Sequence, residues 1–292
     1  MKFELLDAKN IGHYPSGSGI EFFDDRLYLI GDDAKDMLVM NKKWKKPELI
    51  NLFEGTEDRI PKPEKADLEA TAIIYINEIP QLLVLGSGSL EPRNKAVLFN
   101  FESSEQKVLD ISVFYERLKT FGIESLNIEG AALVHDKIVL CNRGNKSNPV
   151  NHLIITDPDF YENQENAEIK IMRIEFEKSD NFTGISGLTY SDKHEFLIFT
   201  VSSEDTKDAI ADGKIGKSYL GFIDNIYRKI YREKEKLKIN TLIDLNQEDK
   251  IFKGHKIESV CIQSEKDHSV KLHLAADDDD GTSWLFKVQV WD

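Results

Sequence analysis

The sequence lacks several features that would assign a chain to a familiar class. Its 292 residues include only two cysteines, Cys141 and Cys261, which are too few for a disulfide framework. Both lie within apolar runs, so we expect two buried, reduced side chains. The apolar runs are no longer than a strand, so no helix is expected to cross a bilayer. The first ten residues have no apolar h-region, and we therefore expect a cytoplasmic protein.

Positive charge is also scarce. Lys and Arg number 38 against 52 Asp and Glu, which gives a formal net charge of −14 at pH 7. Such a surface repels phosphate backbones and anionic lipids, so we expect neither nucleic acid nor a membrane as partner. A cation or a small-molecule ligand fits this charge better. The nucleophile-elbow, P-loop, dinucleotide-binding and zinc-protease motifs are absent as well.

The sequence does contain an internal repeat, which is the strongest indication of fold. Residues 18–33 align without a gap over residues 129–144. Each copy starts with small residues, continues as an apolar strand, turns, and ends a second apolar strand in a polar loop. The pattern begins five times, at the repeat-start residues Ser18, Glu69, Glu129, Ser186 and Glu258.

The number of strands in each repeat predicts the fold. Every repeat continues with a third apolar strand, and the first four have a fourth, which in the fourth repeat is predicted over residues 237–245. Four short strands per repeat are typical of propeller blades. The fifth repeat ends after three strands, and the strand at 2–6 is left to pair with it and close the ring. The sequence therefore predicts an all-β, single-domain, five-bladed β-propeller over residues 1–292, with four antiparallel strands per blade. Residues 113–121 predict a short helix, and residues 227–238 an extended hairpin or insertion.

Strand direction predicts which loops meet. In an antiparallel blade the innermost strand starts on the face where the second strand ends. The repeat-start residues and the loops after the second strands should therefore share one mouth of the central channel. The predicted ligand-binding residues at this mouth are Ser18, Asp32, Arg143, Ser186 and Asp205. The predicted metal ligands are Glu69, Glu129, Glu258 and Asp277.

The chemistry of this mouth follows from its carboxylates. Three clustered carboxylates cannot all stay ionised without a counter-charge. Ca²⁺ or Mg²⁺, which prefer oxygen ligands, would supply it, and Arg93 or Arg143 could do so without a metal. Alternatively, each glutamate accepts backbone N–H bonds from a neighbouring blade and holds the ring closed. The acidic run 277–280 does not have EF-hand spacing and is typical of a solvated loop, with Asp277 the best placed to face the channel.

Two histidines precede innermost strands and are expected on the same face. Either His13 or His255 could act as a general base. We consider two functions from different classes. The first is a non-catalytic propeller that binds a small molecule or a divalent cation at the acidic mouth. The alternative is a metal-dependent hydrolase of a small ester or phosphoester, in which the metal lowers the pKa of a bound water.

The repeat starts also carry a family resemblance. The Glu-Ala, Glu-Gly and Glu-Ser pairs that begin at Glu69, Glu129 and Glu258 resemble those of the phytase-like esterase propellers and their uncharacterised bacterial relatives. The resemblance implies a site at a channel mouth, often with calcium, and hydrolysis of phosphate or carboxylate esters. Ser18 and Ser186 depart from the pattern in two repeats. Because propellers host many functions, no activity is carried over.

Overall fold

The structure is a computed structural model of the chain. It describes residues 1–12, 14–55, 57, 59–176, 182–204, 215–232, 235–278 and 281–291. Strands make up 56% of the chain and helices 9%, and the strands form five small sheets arranged as a five-bladed β-propeller. The predicted fold is confirmed.

Each blade is one sheet of neighbouring strands, and the first strand named for each blade is the innermost. Blade 1 comprises β2 (Gly17–Phe23), β3 (Arg26–Gly31), β4 (Asp36–Asn41) and β5 (Glu48–Asn51). Blade 2 comprises β6 (Leu68–Ile76), β7 (Ile79–Gly86), β8 (Lys95–Asn100) and β9 (Gln106–Asp110). Blade 3 comprises β10 (Ile128–Val134), β11 (Lys137–Asn142), β12 (Asn151–Thr156), β13 (Lys170–Glu175) and β17 (Lys236–Lys238). Blade 4 comprises β14 (Thr183–Ser191), β15 (Phe196–Glu204), β16 (Ile215–Asp224) and β18 (Thr241–Asp244). Blade 5 comprises β19 (Lys256–Lys266), β20 (Ser269–Asp277), β21 (Ser283–Trp291) and β1 (Lys2–Ile11).

Helices are few and short. The α-helices are α1 (Ser112–Thr120), α2 (Ile226–Ile230) and α3 (Leu245–Glu248), and two 3₁₀ turns cover Glu91–Arg93 and Lys250–Phe252. Helix α1 confirms the helix predicted at 113–121. None of the helices in the described ranges has the length and apolar character needed to span a bilayer.

The hydrophobic core lies between the blades. Five apolar clusters each join two neighbouring blades, so every sheet is buried on both faces. This explains why the second strands are almost continuously apolar, as at Leu82, Val84 and Leu85, where each side chain is at most 1% exposed. The hairpin Asp24-Asp25 has positive φ at both residues (47° and 60°), which is the type I′ geometry that matches strand twist.

The N-terminal strand closes the ring. β1 pairs antiparallel with β21 from Lys2 opposite Trp291 to Ile11 opposite Ser283, which confirms the predicted pairing and extends it beyond residue 6. Phe3 packs edge-on against Phe252, with ring centroids 5.9 Å apart. Without β1, the outer edge of blade 5 would expose unpaired backbone groups.

The end of blade 4 differs from the prediction. A single fourth strand was expected over 237–245, but only β18 pairs within blade 4, while β17 pairs in parallel with β13 of blade 3. The insertion at 227–238 contains α2 in place of an extended hairpin. Ile226 and Ile230, four residues apart, both face the apolar cluster between blades 3 and 4, and this spacing favours a helical turn.

Candidate functional site: the acidic channel mouth

A β-bulge marks the start of every innermost strand. The pairing register shifts between Gly17 and Gly19 in blade 1, and at the equivalent point of the other four blades. The residue left out of register is in each case the repeat-start residue. These five bulge residues are Ser18, Glu69, Glu129, Ser186 and Glu258. Because a bulge redirects the side chain of its extra residue, one repeated backbone feature gives all five an equivalent position at the mouth.

The two serine bulges tie neighbouring blades together. Ser18 Oγ donates to the carbonyl of Leu68 in blade 2 (2.6 Å), and Ser186 Oγ donates to the carbonyl of Ile257 in blade 5 (2.7 Å). Both side chains are buried. Their predicted role as ligand-binding residues stays a prediction, but their hydroxyl hydrogens are already used within the fold.

The glutamate of blade 2, Glu69, differs from the other two in its contacts. No residue within the described ranges hydrogen-bonds or ion-pairs with the Glu69 carboxylate, although it lines the channel beside Glu129. Burial, followed by the charges of Asp67 and Glu129, raises its pKa well above the usual range. Ionisation of the Glu69 carboxylate is therefore opposed by its surroundings.

The glutamates of blades 3 and 5 share Arg143. Its Nη1 lies 3.5 Å from Glu129 Oε2 and 3.9 Å from Glu258 Oε2, while its Nη2 donates to Ser202 Oγ in blade 4 (3.0 Å). Gly184 makes this reach possible, because a Cβ there would lie 2.2 Å from Arg143 Nε. Arg143 therefore spans three blades.

Each of these glutamates also has a partner two residues earlier in its own chain segment. Asn127 Nδ2 donates to Glu129 Oε1 (2.6 Å), and Lys256 Nζ lies 2.7 Å from Glu258 Oε1. Burial raises the pKa of Glu129 to about 7, with Arg143 opposing the shift and Glu258 adding to it. Glu129 is therefore poised to change charge near neutral pH.

A lysine bridges the acidic residues of blades 1 and 2. Lys65 Nζ contacts Asp32 Oδ2 and lies 2.7 Å from Asp67 Oδ1, and Arg93 Nη1 lies 2.7 Å from Asp67 Oδ2. Burial lowers the pKa of Lys65, but Asp32 and Asp67 outweigh it and raise the pKa overall. Lys65 thus remains an ammonium ion in the fold.

These acids form the one described group with the spacing of metal ligands. Each of these acids places one carboxylate oxygen within 4.8 Å of the others, and the three residues are Asp32, Asp67 and Glu69. Their oxygen donors suit Ca²⁺ or Mg²⁺. However, the Lys65 ammonium already contacts two of the three carboxylates.

Two buried oxygens at the mouth lack hydrogen-bond partners. Glu258 Oε2 and Ser259 Oγ make no hydrogen bond within the described part of the chain, and both residues are 4% exposed. Ser259 lines the same narrow channel space as Glu69 and Glu129. Because a buried polar atom without a hydrogen bond costs free energy, these two oxygens are the least well satisfied described groups of the mouth.

The predicted histidines have different outcomes. His13 and the ligand residue Asp205 lie outside the described residues. His255 Nδ1 lies 2.7 Å from Asp278 Oδ2, and its ring packs 4.7 Å from that of Trp284. Because one nitrogen is held by a carboxylate, the ring orientation is fixed and Nε2 is left for other contacts.

Asp277 ends β20 and is partly buried, and its charge helps to raise the pKa of Arg59 after the larger effect of Asp33. Its predicted role as a metal ligand stays a prediction. The structure thus brings together Asp32, Glu69, Glu129, Arg143 and Glu258 in one electrostatic network.

Sequence reasoning missed several members of this network: Lys65, Asp67, Lys256, Ser259 and Asp278. A signal for two of them was present, because Asp67 and Lys256 both stand two residues before a repeat-start glutamate. Asn127 and Gly184 hold the same position in their repeats and also serve the mouth. Lys65 and Asp278 lie in loops whose course no repeat predicts.

The fold and the mouth together define a class: a five-bladed β-propeller with an acidic cluster at one end of its channel. Within that class, the chain belongs to the family of unknown function DUF6929, which it matches over residues 13–290. No functionally curated protein matches the sequence.

Solved structures share the architecture at low sequence identity. A glutaminyl cyclase from Myxococcus xanthus is similar with a TM-score of 0.54 and 9% identity, covering 99% of this chain and 97% of that one. A GH43 β-1,3-galactosidase with galactodeoxynojirimycin is similar with a TM-score of 0.52 and 12% identity, covering 94% and 90%. At such identities the similarity concerns the fold alone. The resemblance to phytase-like esterase propellers is thus supported as a propeller and not as an esterase.

Proposed function

We propose that the channel mouth binds a small cationic ligand, either a divalent metal ion or a small molecule with a positive group. The observation that carries this proposal is the Glu69 carboxylate, which faces the channel without a direct partner in the described ranges. Such a group favours an incoming positive charge, because its own ionisation is opposed by burial and by the acids around it.

Two buried oxygens of the mouth support the same proposal. Glu258 Oε2 and Ser259 Oγ are buried in the mouth without hydrogen bonds from described residues. A ligand that brings positive charge and N–H or O–H donors, or a metal ion that accepts lone pairs, would satisfy them. A ligand on the hairpin-turn face of the disc would leave all of these groups unexplained.

The alternative function is metal-dependent hydrolysis of a small ester or phosphoester. It is favoured by one observation, the His255–Asp278 pair, which is an arrangement that can hold and move a proton at His255 Nε2. Asp32, Asp67 and Glu69 would hold the metal, which would polarise the substrate and lower the pKa of a bound water. We rank this function second, because no nucleophile is found beside His255 among the residues that the structure describes.

Calorimetric titration tests the proposal. Wild-type protein would be titrated with CaCl₂, MgCl₂ and small organic amines, alongside Glu69→Gln and Glu129→Gln. At least one cation should bind, and Glu69→Gln should weaken it by about tenfold or more, because a charged hydrogen-bonding partner is lost. The control Glu64→Gln removes an exposed carboxylate from the loop just before β6 and should bind like wild type.

Two results would contradict the proposal. Either no cation binds in the millimolar range, or binding is equally strong in wild type and Glu69→Gln. In the second case the protein binds a cation elsewhere. For the hydrolase alternative, ester hydrolysis should require the added metal ion and should fall in His255→Gln, and hydrolysis that survives His255→Gln would remove it.

A further inference from the structure

A group of lysines lies on the face of the disc opposite the channel mouth. Strand β4 runs from the mouth to the hairpin-turn face, and the turn that follows it carries four lysines. Lys42 N donates to the carbonyl of Asp25 in the β2–β3 hairpin (3.0 Å), which places this turn on the hairpin-turn face. Three more lysines, on β1, β20 and β21 of blade 5, lie beside it. We call these seven residues the basic patch: Lys9, Lys42, Lys43, Lys45, Lys46, Lys271 and Lys287.

Blade 5 holds the turn in place. The Trp44 side chain is 1% exposed, and its Nε1 donates to His273 Nδ1 on β20 (3.1 Å). Lys9 Nζ donates to the Trp44 carbonyl (2.8 Å), and Lys287 Nζ donates to the Lys42 carbonyl (2.8 Å). Lys287 Nζ also lies 4.8 Å from the centre of the Trp44 ring, which is within cation–π range. The lysines of the turn therefore project from a fixed backbone.

Few of the described acids compensate the charge of the basic patch. Lys42 Nζ lies 2.9 Å from Asp25 Oδ2 in an exposed ion pair. Glu48, the next acid along the chain, pairs with Arg26. Four lysines of the patch form no ion pair with the residues that the structure describes: Lys43, Lys45, Lys46 and Lys271. The fold thus gathers ammonium groups here without supplying the matching carboxylates.

The lysines of the patch also repel one another. Burial lowers the pKa of Lys287, Asp7 opposes this shift, and the charges of Lys271 and Lys43 add to it. Like charges placed side by side on a sheet destabilise it. Because stability alone disfavours this arrangement, the patch points to an anion that binds there.

The surroundings of the patch distinguish between kinds of anion. The whole chain has a formal net charge of −14, so the chain outside the patch is more acidic still. Nucleic acid or an anionic membrane would extend over that acidic surface and be repelled, and the buried Trp44 offers no platform for stacking bases. A second copy of this chain carries the same excess of negative charge. A compact acidic segment contacts the patch alone, because exposed charges beyond about 8 Å are largely screened at physiological salt.

We propose that the basic patch is the docking surface for a short segment of a partner protein that is rich in Asp and Glu. Its carboxylates would pair with the ammonium groups that have no acid of their own: Lys43, Lys45, Lys46 and Lys271. The rigid turn lowers the entropic cost of docking, since its backbone is already ordered. The patch and the channel mouth lie on opposite faces, so this inference goes beyond the proposed function and does not depend on it.

The first experiment compares two fluorescently labelled peptides on the wild-type protein, hexaglutamate and its uncharged counterpart hexaglutamine. In fluorescence anisotropy at about 50 mM NaCl, hexaglutamate should bind about tenfold more tightly or better. Because the contacts are exposed ion pairs, raising NaCl to about 300 mM should weaken its binding severalfold. Equal binding of the two peptides, or hexaglutamate binding that salt does not weaken, would overturn the proposal.

The second experiment locates the surface by substitution. The triple variant Lys43→Gln, Lys45→Gln, Lys46→Gln removes three exposed ammonium groups and keeps the backbone of the turn, so it should weaken hexaglutamate binding by about tenfold or more. Its melting temperature should equal or exceed that of wild type, since repulsion is relieved, whereas a structural role of these lysines would lower it. The control Lys107→Gln, on the exposed part of β9 in blade 2, should bind like wild type. Unchanged binding in the triple variant would contradict the proposal.

The remaining outcomes concern the occupant. Single-stranded RNA or phosphatidylserine vesicles that bind more tightly than hexaglutamate, and lose this binding in the triple variant, would overturn the acidic segment. Self-association of the wild-type protein in sedimentation velocity that the triple variant lacks would assign the patch to a second copy and overturn it too. Glu69→Gln should bind hexaglutamate like wild type, so a failure of this proposal leaves the cation site at the mouth untouched.

Discussion

The five bulges at the channel mouth divide into two kinds that do different work. In blades 1 and 4 the bulge residue is a serine, and its hydroxyl bonds to the backbone of the next blade. In blades 2, 3 and 5 it is a glutamate, and its carboxylate takes part in a charge network over the channel. The same backbone feature thus supports a closing contact in one case and an electrostatic site in the other.

Two of the cationic side chains of the mouth, Lys65 and Arg143, lie beside the serine blades. Lys65 bridges Asp32, which follows β3 of blade 1, to Asp67 of blade 2. Arg143 crosses blade 4 over Gly184 and reaches the glutamates of blades 3 and 5. Arg93 and Lys256, in contrast, pair with acids at the glutamate blades themselves. The comparison teaches that the acids of the glutamate blades are compensated both by cations of their own blades and by cations that lie beside the serine blades.

The largest expected effect comes from removing the cation over blade 4. Arg143→Met leaves Glu129 and Glu258 buried without their shared counter-charge, so the free energy of unfolding at pH 8 should fall by about 3 kcal/mol or more. The loss should be smaller at pH 5, where Glu129, whose pKa is raised, can take up a proton. Chemical denaturation at both pH values measures it. The control Lys42→Met, which breaks an exposed pair with Asp25, should change stability by about 0.5 kcal/mol or less.

The substitution Glu129→Gln should raise the free energy of unfolding at pH 8, whereas Arg143→Met lowers it. Because the pKa of Glu129 is raised to about 7 in the fold, the unfolded chain gives up this proton first, and wild-type stability should fall as pH rises from about 4.5 to about 7. Over this pH range, the ionisation of Glu129 should lower the free energy of unfolding by an amount on the order of 3 kcal/mol. In Glu129→Gln that part of the pH dependence should be missing. A pH profile of stability that matches wild type would contradict the environment assigned to Glu129.

Gly184→Ala should produce a smaller version of the Arg143 effect. The added Cβ would displace Arg143 from its position over blade 4, with an expected cost of about 2 kcal/mol. Like the Arg143→Met loss, this cost should grow between pH 5 and pH 8. If Gly184→Ala costs the same at both pH values, the glycine serves local packing alone.

The serine bulges should give the smallest effect and no pH dependence. Ser186→Ala removes the hydrogen bond to the Ile257 carbonyl and should cost about 1 kcal/mol at either pH. Ser18→Ala should behave alike, because its hydroxyl bonds to Leu68 in the same way. A serine variant that changes the pH dependence of stability as much as Glu129→Gln does would erase the distinction between the two kinds of blade.

The fold could be predicted from the sequence because the blade pattern is repeated five times. Each of the five repeat-start residues stands at a bulge in the structure. The pairing of β1 with β21 followed from counting strands. The division of 236–244 between two blades could not be foreseen, since β17 is only three residues long and pairs in parallel with a strand of another repeat.

The sequence predicted the candidate site only in part. The repeat determines the position of residues on strands, so the glutamates were assigned to the correct face. Lys65 reaches the mouth through a loop that occurs once, and the reach of Arg143 depends on the missing side chain of Gly184 in another blade. Such contacts depend on loop paths and on neighbours distant in sequence, which alternation of polar and apolar residues does not encode.

The most direct test of the account is a crystal structure of the wild-type protein with the cation that binds most tightly in the calorimetric titration. The cation should lie at the channel mouth in contact with Glu69, with Arg143 still between Glu129 and Glu258. A cation found only at the hairpin-turn face of the disc would contradict the account.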